Sequence, residues 1–200
     1  MELNIEFNLL DKDGAEIFRQ IFADVDNITI LRKNICQSYA DCIVTAGQSY
    51  GFMDGGVDGA INNLLSSSSI ERIDVKVRRQ ITRDFYCEQP VGTCILIKTE
   101  NPYIKWLAHA PTMIVPINVS NSLNAYLAFR SVLVSILKHN ENNTEKIKYV
   151  VTPSFCTGAG EMPYERSAKQ MRAAYESVVS PQDTYDWKKT WSNHRKLLSL

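Results

Sequence analysis

Net charge is what the sequence most plainly lacks: 22 Lys and Arg stand against 22 Asp and Glu in 200 residues. Without surplus positive charge there is no source for the counterion release that drives sequence-independent nucleic-acid binding, so a basic DNA-coating protein is excluded. Long apolar runs are missing as well, and no stretch approaches the roughly 20 residues a membrane-spanning helix needs. The segment Met1 to Glu6 has no basic stretch leading into an apolar one, which argues against a secretory signal and for a cytoplasmic protein. Cysteine is sparse, odd in number and scattered (Cys36, Cys42, Cys87, Cys94, Cys156), with no C-x-x-C pair, so neither a disulfide framework nor a zinc site is expected. The three histidines, His109, His139 and His194, are not at metal-ligand spacing, and no metal or cofactor is expected. A Gly-x-x-x-x-Gly-Lys-Ser/Thr loop is absent, which excludes the Walker type of NTPase. What remains, 44% hydrophobic and 22% charged residues, is ordinary globular composition, with enough chain for one domain and a real core.

The pattern alternates strands and helices. Leu3 to Leu9 has period two, the mark of a half-buried strand, and Asp11-Lys12-Asp13-Gly14 is turn chemistry before a helical stretch from Ala15 to Ala23. Strands are expected at 27–31, 40–46, 94–98, 107–115 and 148–152. Helices are expected from Gly56, over 70–85 with Ser69 as its cap, over 123–137, over 163–179 and from Thr184 onward. In the second of these helices Ile70, Ile73, Val77, Ile81 and Phe85 form a stripe to bury, and the basic residues between them read as a solvated face. Strands interleaved with helices imply an α/β layer fold with a mainly parallel sheet. Ser180-Pro181-Gln182-Asp183 separates a domain over 1–180 from a helical appendage over 181–200.

Two glycine-rich loops each join a buried strand to a helix, where open α/β sheets bind ligands. The first runs from Ala46-Gly47-Gln48 to Gly55-Gly56-Val57-Asp58-Gly59, and the second is Ser154-Phe155-Cys156-Thr157-Gly158-Ala159-Gly160-Glu161-Met162. Glycines let backbone N–H groups approach an anion, and a helix N-terminus adds about half a unit of positive charge, so phosphate is the natural ligand. Pro163 falls where a dinucleotide fingerprint needs its third glycine, which argues against a Rossmann site.

The stretch Ala40 to Gln48 continued by Gly55-Gly56-Val57-Asp58-Gly59-Ala60-Ile61-Asn62 resembles the signature of macro domains, the ADP-ribose-binding modules, and Val151 to Pro163 resembles their phosphate-cradling loop. The Gly51-Phe52-Met53-Asp54 wording and the strand His109-Ala110-Pro111-Thr112-Met113 are similar to a bacterial and phage-associated branch. The resemblance implies a three-layer α/β/α sandwich around a mixed, mainly parallel sheet, with ADP-ribose across the strand ends. It implies ligand contacts at Asn34, Ile35, Ala46, Gln48, Asp54, Gly55, Gly56 and Val57, and at Ser154, Thr157, Gly158, Ala159, Gly160, Glu161 and Met162. Implied partners are ADP-ribose or an ADP-ribosylated protein; the composition, for its part, argues against a membrane and against nucleic acid.

Three departures bear on chemistry. Asn34 stands in Lys33-Asn34-Ile35 where the family has an adenine-reading acid. Val44-Thr45-Ala46-Gly47-Gln48 replaces Val-Asn-Ala-Ala-Asn, so Gln48 takes the place of an Asn near the distal ribose. Asn62 stands where His is frequent. Asp58 matches the family carboxylate that orients water or acts as a base, with Asp54 as a weaker second; its other reading is a helix N-terminal charge. The resemblance thus leaves two outcomes: slow hydrolysis of an ADP-ribosyl ester or of ADP-ribose 1″-phosphate, or a non-catalytic interaction module with a vestigial cleft in a larger assembly. Cys156 and His109 are expected to pack, and Tyr50, Phe52 and Tyr164 are candidates to stack on a sugar or base.

Overall fold

A computed structural model of the chain describes residues 3–181 and 186–200. Six strands, β1 (Asn4–Asn8), β2 (Ile28–Leu31), β3 (Cys42–Thr45), β4 (Ile95–Lys98), β5 (Trp106–His109) and β6 (Tyr149–Thr152), form one sheet in the order β2-β1-β6-β3-β5-β4. All neighbours are parallel except β4, which runs antiparallel to β5 at the edge. The helices are α1 (Lys12–Ile21), α2 (Gly56–Ser66), α3 (Ile73–Phe85), α4 (Asn124–Asn142), α5 (Tyr164–Val179) and α6 (Trp187–Leu198).

Side-chain alternation along the strands produces the layers. Cys42, Val44, Ala108 and Val150 pack with Phe18 of α1, Phe129 of α4 and Met171 of α5 on one face, while Ile43, Leu107 and Val151 pack with Ile61 of α2 and Val77 and Ile81 of α3 on the other. In β1 the period-two residues Leu3, Ile5, Phe7 and Leu9 all enter the first core, with the Phe7 ring 5.2–5.6 Å from those of Phe22, Phe18 and Phe129. Each such fully buried side chain contributes roughly 1.5–3 kcal/mol against remaining in water. The expected three-layer α/β/α architecture is the one observed.

Several element boundaries differ from the sequence reading, for local reasons. β5 stops at His109 rather than running to Val115, because Pro111 has no N–H for the ladder and the chain turns out toward a single bridge between Met113 and Gln48. α3 starts at Ile73: Arg72 is its N-cap, the Ile73 N–H donates to Ser66 Oγ at 3.0 Å instead of Ser69 serving as cap, and Ile70 is fully exposed rather than part of the buried stripe. α1 starts earlier, at Lys12, because Asp11 Oδ1 accepts from the Gly14 N–H at 2.7 Å and caps it. α4 runs five residues past Leu137 to Asn142. The start of the terminal helix at Thr184 and the break at Gln182-Asp183 lie outside the described residues; α6 itself buries no residue. Among the described residues no helix is long and apolar enough to cross a membrane.

Candidate functional site

The five parallel strands all end on the same side, and the loop after each one lines a single cleft of about 490 Å³. Because the sheet order is known, so is the order of the loops along the cleft. Lys33-Asn34-Ile35 follows β2, Leu9-Leu10-Asp11 follows β1, Ser154 to Gly160 follows β6, Ala46 to Asp58 follows β3, and Thr112, Met113 and Pro116 follow β5. Four strand spacings make this a trough of about 19 Å, with an apolar and amide end, a glycine-lined middle and a carboxylate end.

At the carboxylate end, Asp58 sits in the first turn of α2 and accepts a hydrogen bond from the buried Thr45 Oγ1. Burial of its carboxyl pushes its pKa up to about 6, against the lowering effect of the Thr45 bond, while the nearby Asp54 charge adds to the rise. Asp58 is therefore a carboxyl that changes charge near neutrality. Behind it lies His109, fully buried, donating from Nδ1 to Gln89 Oε1 at 2.8 Å while Gln89 Nε2 donates back to the His109 carbonyl. Burial pulls the His109 pKa down to about 4, which leaves a neutral ring whose Nε2 has no hydrogen-bond partner among the described residues. A Cβ on Gly47 would fall 2.6 Å from that Nε2, closer than side-chain atoms pack, and 3.4 Å from Asp58 Oδ2, so a larger residue at position 47 requires the His109 ring to shift.

In the middle, Gly158 has none of the described residues within 4 Å of where a Cβ would stand, and it lines the cleft. Gly160 differs, since a Cβ there would meet the Cys156 carbonyl at 2.5 Å. Cys156 lines the cleft with φ of 63°, and burial raises its thiol pKa to about 12, which removes it as a nucleophile. From the opposite wall the N-terminus of α2 enters through Gly55 and Gly56, the latter at φ of 54° and with open space around it.

At the apolar end, Leu10, Ile35 and Tyr164 share the wall with Asn8, Lys33 and Asn34. Beneath them Glu6 is buried; burial pushes its carboxyl pKa up, but donors from Tyr149 (2.6 Å), Lys33 (3.0 Å), Ser38 (2.8 Å) and Asn8 (3.0 Å) hold it below the usual range. This network ties β1 and β6 to the segment that follows β2.

Fourteen of the residues expected from sequence line the cleft: Asn34, Ile35, Ala46, Gln48, Asp54, Gly55, Gly56, Val57, Asp58, Ser154, Thr157, Gly158, Ala159 and Gly160. Two do not. Met162 is 2% exposed and packs in the core, and Glu161 turns aside to accept from Asn118 Nδ2 at 2.7 Å. Phe52 and Tyr164 line the cleft, whereas Tyr50 points its hydroxyl to Glu88. Two polar side chains are partly committed: Asn34 Oδ1 accepts from the Cys36 N–H at 3.0 Å as a cap, and Gln48 Oε1 accepts from the Tyr50 N–H at 2.7 Å. Sequence reasoning missed Asn8, Leu10, Asp11, Lys33, Thr112 and Pro116, whose only signal was that each follows, or ends, a parallel strand.

Among known proteins, the sequence profile described as Macro domain matches residues 44–171. The chain belongs to the macro domain family. A protein of Aquifex aeolicus (strain VF5) is 31% identical over 145 residues, which cover 72% of this chain and 78% of the relative. The macrodomain of Mycobacterium tuberculosis DarG superposes with a TM-score of 0.59 at 14% identity, covering 73% of this chain and 88% of its own. A mutant Oceanobacillus iheyensis macrodomain, solved with ADPR, superposes with a TM-score of 0.57 at 16% identity, covering 84% and 89%. At these identities the structural likeness extends to the fold.

Proposed function

We propose that this macro domain binds ADP-ribose, free or as an ADP-ribosyl group, along the trough described above. The observation that carries the reading is the sequence of chemistries along the cleft. An apolar and amide end suits a purine, a glycine-lined middle facing a helix N-terminus suits a diphosphate, and the Asp58 end suits the hydroxyls of a distal ribose. The family relationship and a fold neighbour solved with ADPR support the same ligand. Micromolar affinity, about 8 kcal/mol, is expected for such a set of contacts. Calorimetric titration with ADP-ribose, and with ADP and AMP alongside, tests it. Gly158→Glu places a charged side chain in the diphosphate position and is expected to abolish binding while leaving the fold intact; equal affinity of variant and parent refutes the assignment.

Turnover, where it occurs, falls to Asp58. Ionised above about pH 6, its carboxylate can take a proton from water attacking the anomeric carbon of the distal ribose while the bond to the ester or phosphate oxygen breaks and that group leaves as its anion, with Oδ1 held by Thr45 and Oδ2 left to act. The engagement of Gln48 Oε1 by the Tyr50 N–H favours slow hydrolysis or binding alone. Assays on ester-linked ADP-ribosyl protein and on ADP-ribose 1″-phosphate, with Asp58→Ala as the control, separate an enzyme from a reader: cleavage that persists in the variant removes Asp58 from the chemistry.

A further inference from the structure

The segment that leaves the sheet after β5 carries Ile114, Val115, Pro116 and Ile117 in succession, all on the surface, with Ile114 and Ile117 each 50% exposed and Val115 44%. A soluble fold avoids such a run unless something covers it. This lip is pinned at both ends. The Ser49 N–H donates to the carbonyls of Met113 at 3.0 Å and Ile114 at 3.2 Å, the Val119 N–H donates to the Gly160 carbonyl at 2.9 Å, and Asn118 holds Glu161. It is therefore tied to both glycine loops, and its apolar side chains cannot simply fold inward.

We propose that the Ile114–Ile117 lip is a docking surface for the polypeptide that carries the ADP-ribosyl group, contacting an apolar segment beside the modified residue. The proposal rests on the ligand assignment above. Strand order puts the β5 loop next to the β3 loop that holds Asp58, at the distal-ribose end, so whatever is attached to that sugar leaves the cleft against the lip. Phe52 and Val57, 50% and 38% exposed, line the same cleft as Pro116 of the lip. Charge selects the class of partner. The lip carries no cation; Asp54 and Asp58 line the cleft it shares through Pro116, and Glu161 is bonded to Asn118, the residue after Ile117. Arg78, over the Phe52 ring at 5.3 Å, is held by Asp74 at 3.1 Å, and Lys33 is paired with Glu6 at the opposite end. A nucleic-acid backbone would meet uncompensated like charge here, whereas apolar side chains of a polypeptide would be desolvated against Ile114 and Ile117.

The test compares the parent with an Ile114→Ser/Ile117→Ser double variant, since neither side chain lines the cleft. The probes are free ADP-ribose, a synthetic peptide with one ADP-ribosylated serine flanked by leucine and valine, the same peptide with serine flanks, and an ADP-ribosylated DNA oligonucleotide. The parent is expected to bind the apolar peptide about tenfold more tightly than free ADP-ribose, and the double variant to lose that advantage while keeping its ADP-ribose affinity. ADP-ribose binding without preference for the apolar flanks overturns the lip alone, and failure to bind ADP-ribose at all overturns the ligand assignment and the lip with it. Preference for the oligonucleotide, an equal loss of free ADP-ribose in the variant, or concentration-dependent self-association of the parent that the variant abolishes would each refute the polypeptide partner.

Discussion

Replacing Asp58 by asparagine tests the electrostatics of the cleft without any ligand. The side chain keeps its shape, and its oxygen can still accept from Thr45, so the main change is loss of a titratable proton at a buried position. In the folded protein that proton binds with a pKa of about 6, against about 3.8 for a freely solvated aspartate. Between those values the folded state holds a proton the unfolded chain has released, so stability contributed by Asp58 is full below about pH 4 and lost as pH rises through about 6. A shift of this size corresponds to at most roughly 3 kcal/mol, and relaxation around the carboxylate reduces it. The assay is urea unfolding of parent and Asp58→Asn at several pH values between about 4 and 8. The quantity of interest is the difference in stability between the two proteins, because every other titrating group cancels in it. That difference is expected to move in favour of the asparagine variant across the window and to level off above it. A difference that stays flat would refute the inference that the Asp58 carboxyl is buried and raised, and with it the argument that this group changes charge near neutrality.

The remaining predictions follow from single contacts. Gly47→Ala drives a Cβ to 2.6 Å from His109 Nε2, and because Gln89 holds the ring in place the variant is expected to lose about 1–3 kcal/mol in urea unfolding; unchanged stability would show that the ring yields. Asn34→Asp retains the cap on the Cys36 N–H and adds a charge at the base end, so calorimetry is expected to show ADP-ribose binding up to about tenfold tighter, and no gain would mean the base is not contacted there. Ile70→Ser, at a fully exposed site ahead of α3, is expected to change stability by less than about 0.5 kcal/mol, and a larger loss by thermal unfolding would place Ile70 in a packed contact.

Periodicity and turn chemistry are properties of neighbouring residues, and they were legible in the chain itself. The alternation of Leu3, Ile5, Phe7 and Leu9, the helical spacing of Ile73, Val77 and Ile81, and the glycines of the two loops each determine a local conformation and the face it must bury. From these the α/β class and most of the cleft residues follow, because loops after parallel strands gather on one side of a sheet. Other features depend on partners distant in sequence. Position 47 favours glycine because His109, on the neighbouring strand, occupies the space a Cβ would need, and nothing near Gly47 in the chain announces it. Asn8 and Lys33 reach the cleft only because β1 and β2 pair in parallel and Glu6 binds both side chains. Ile70 satisfies a helical stripe but lies one turn outside the helix, and Ile114-Val115 read as strand but leave the sheet. In both segments local preference was matched or exceeded by the hydrogen bonds and packing of elements far along the chain, a balance that exists only once the sheet is assembled.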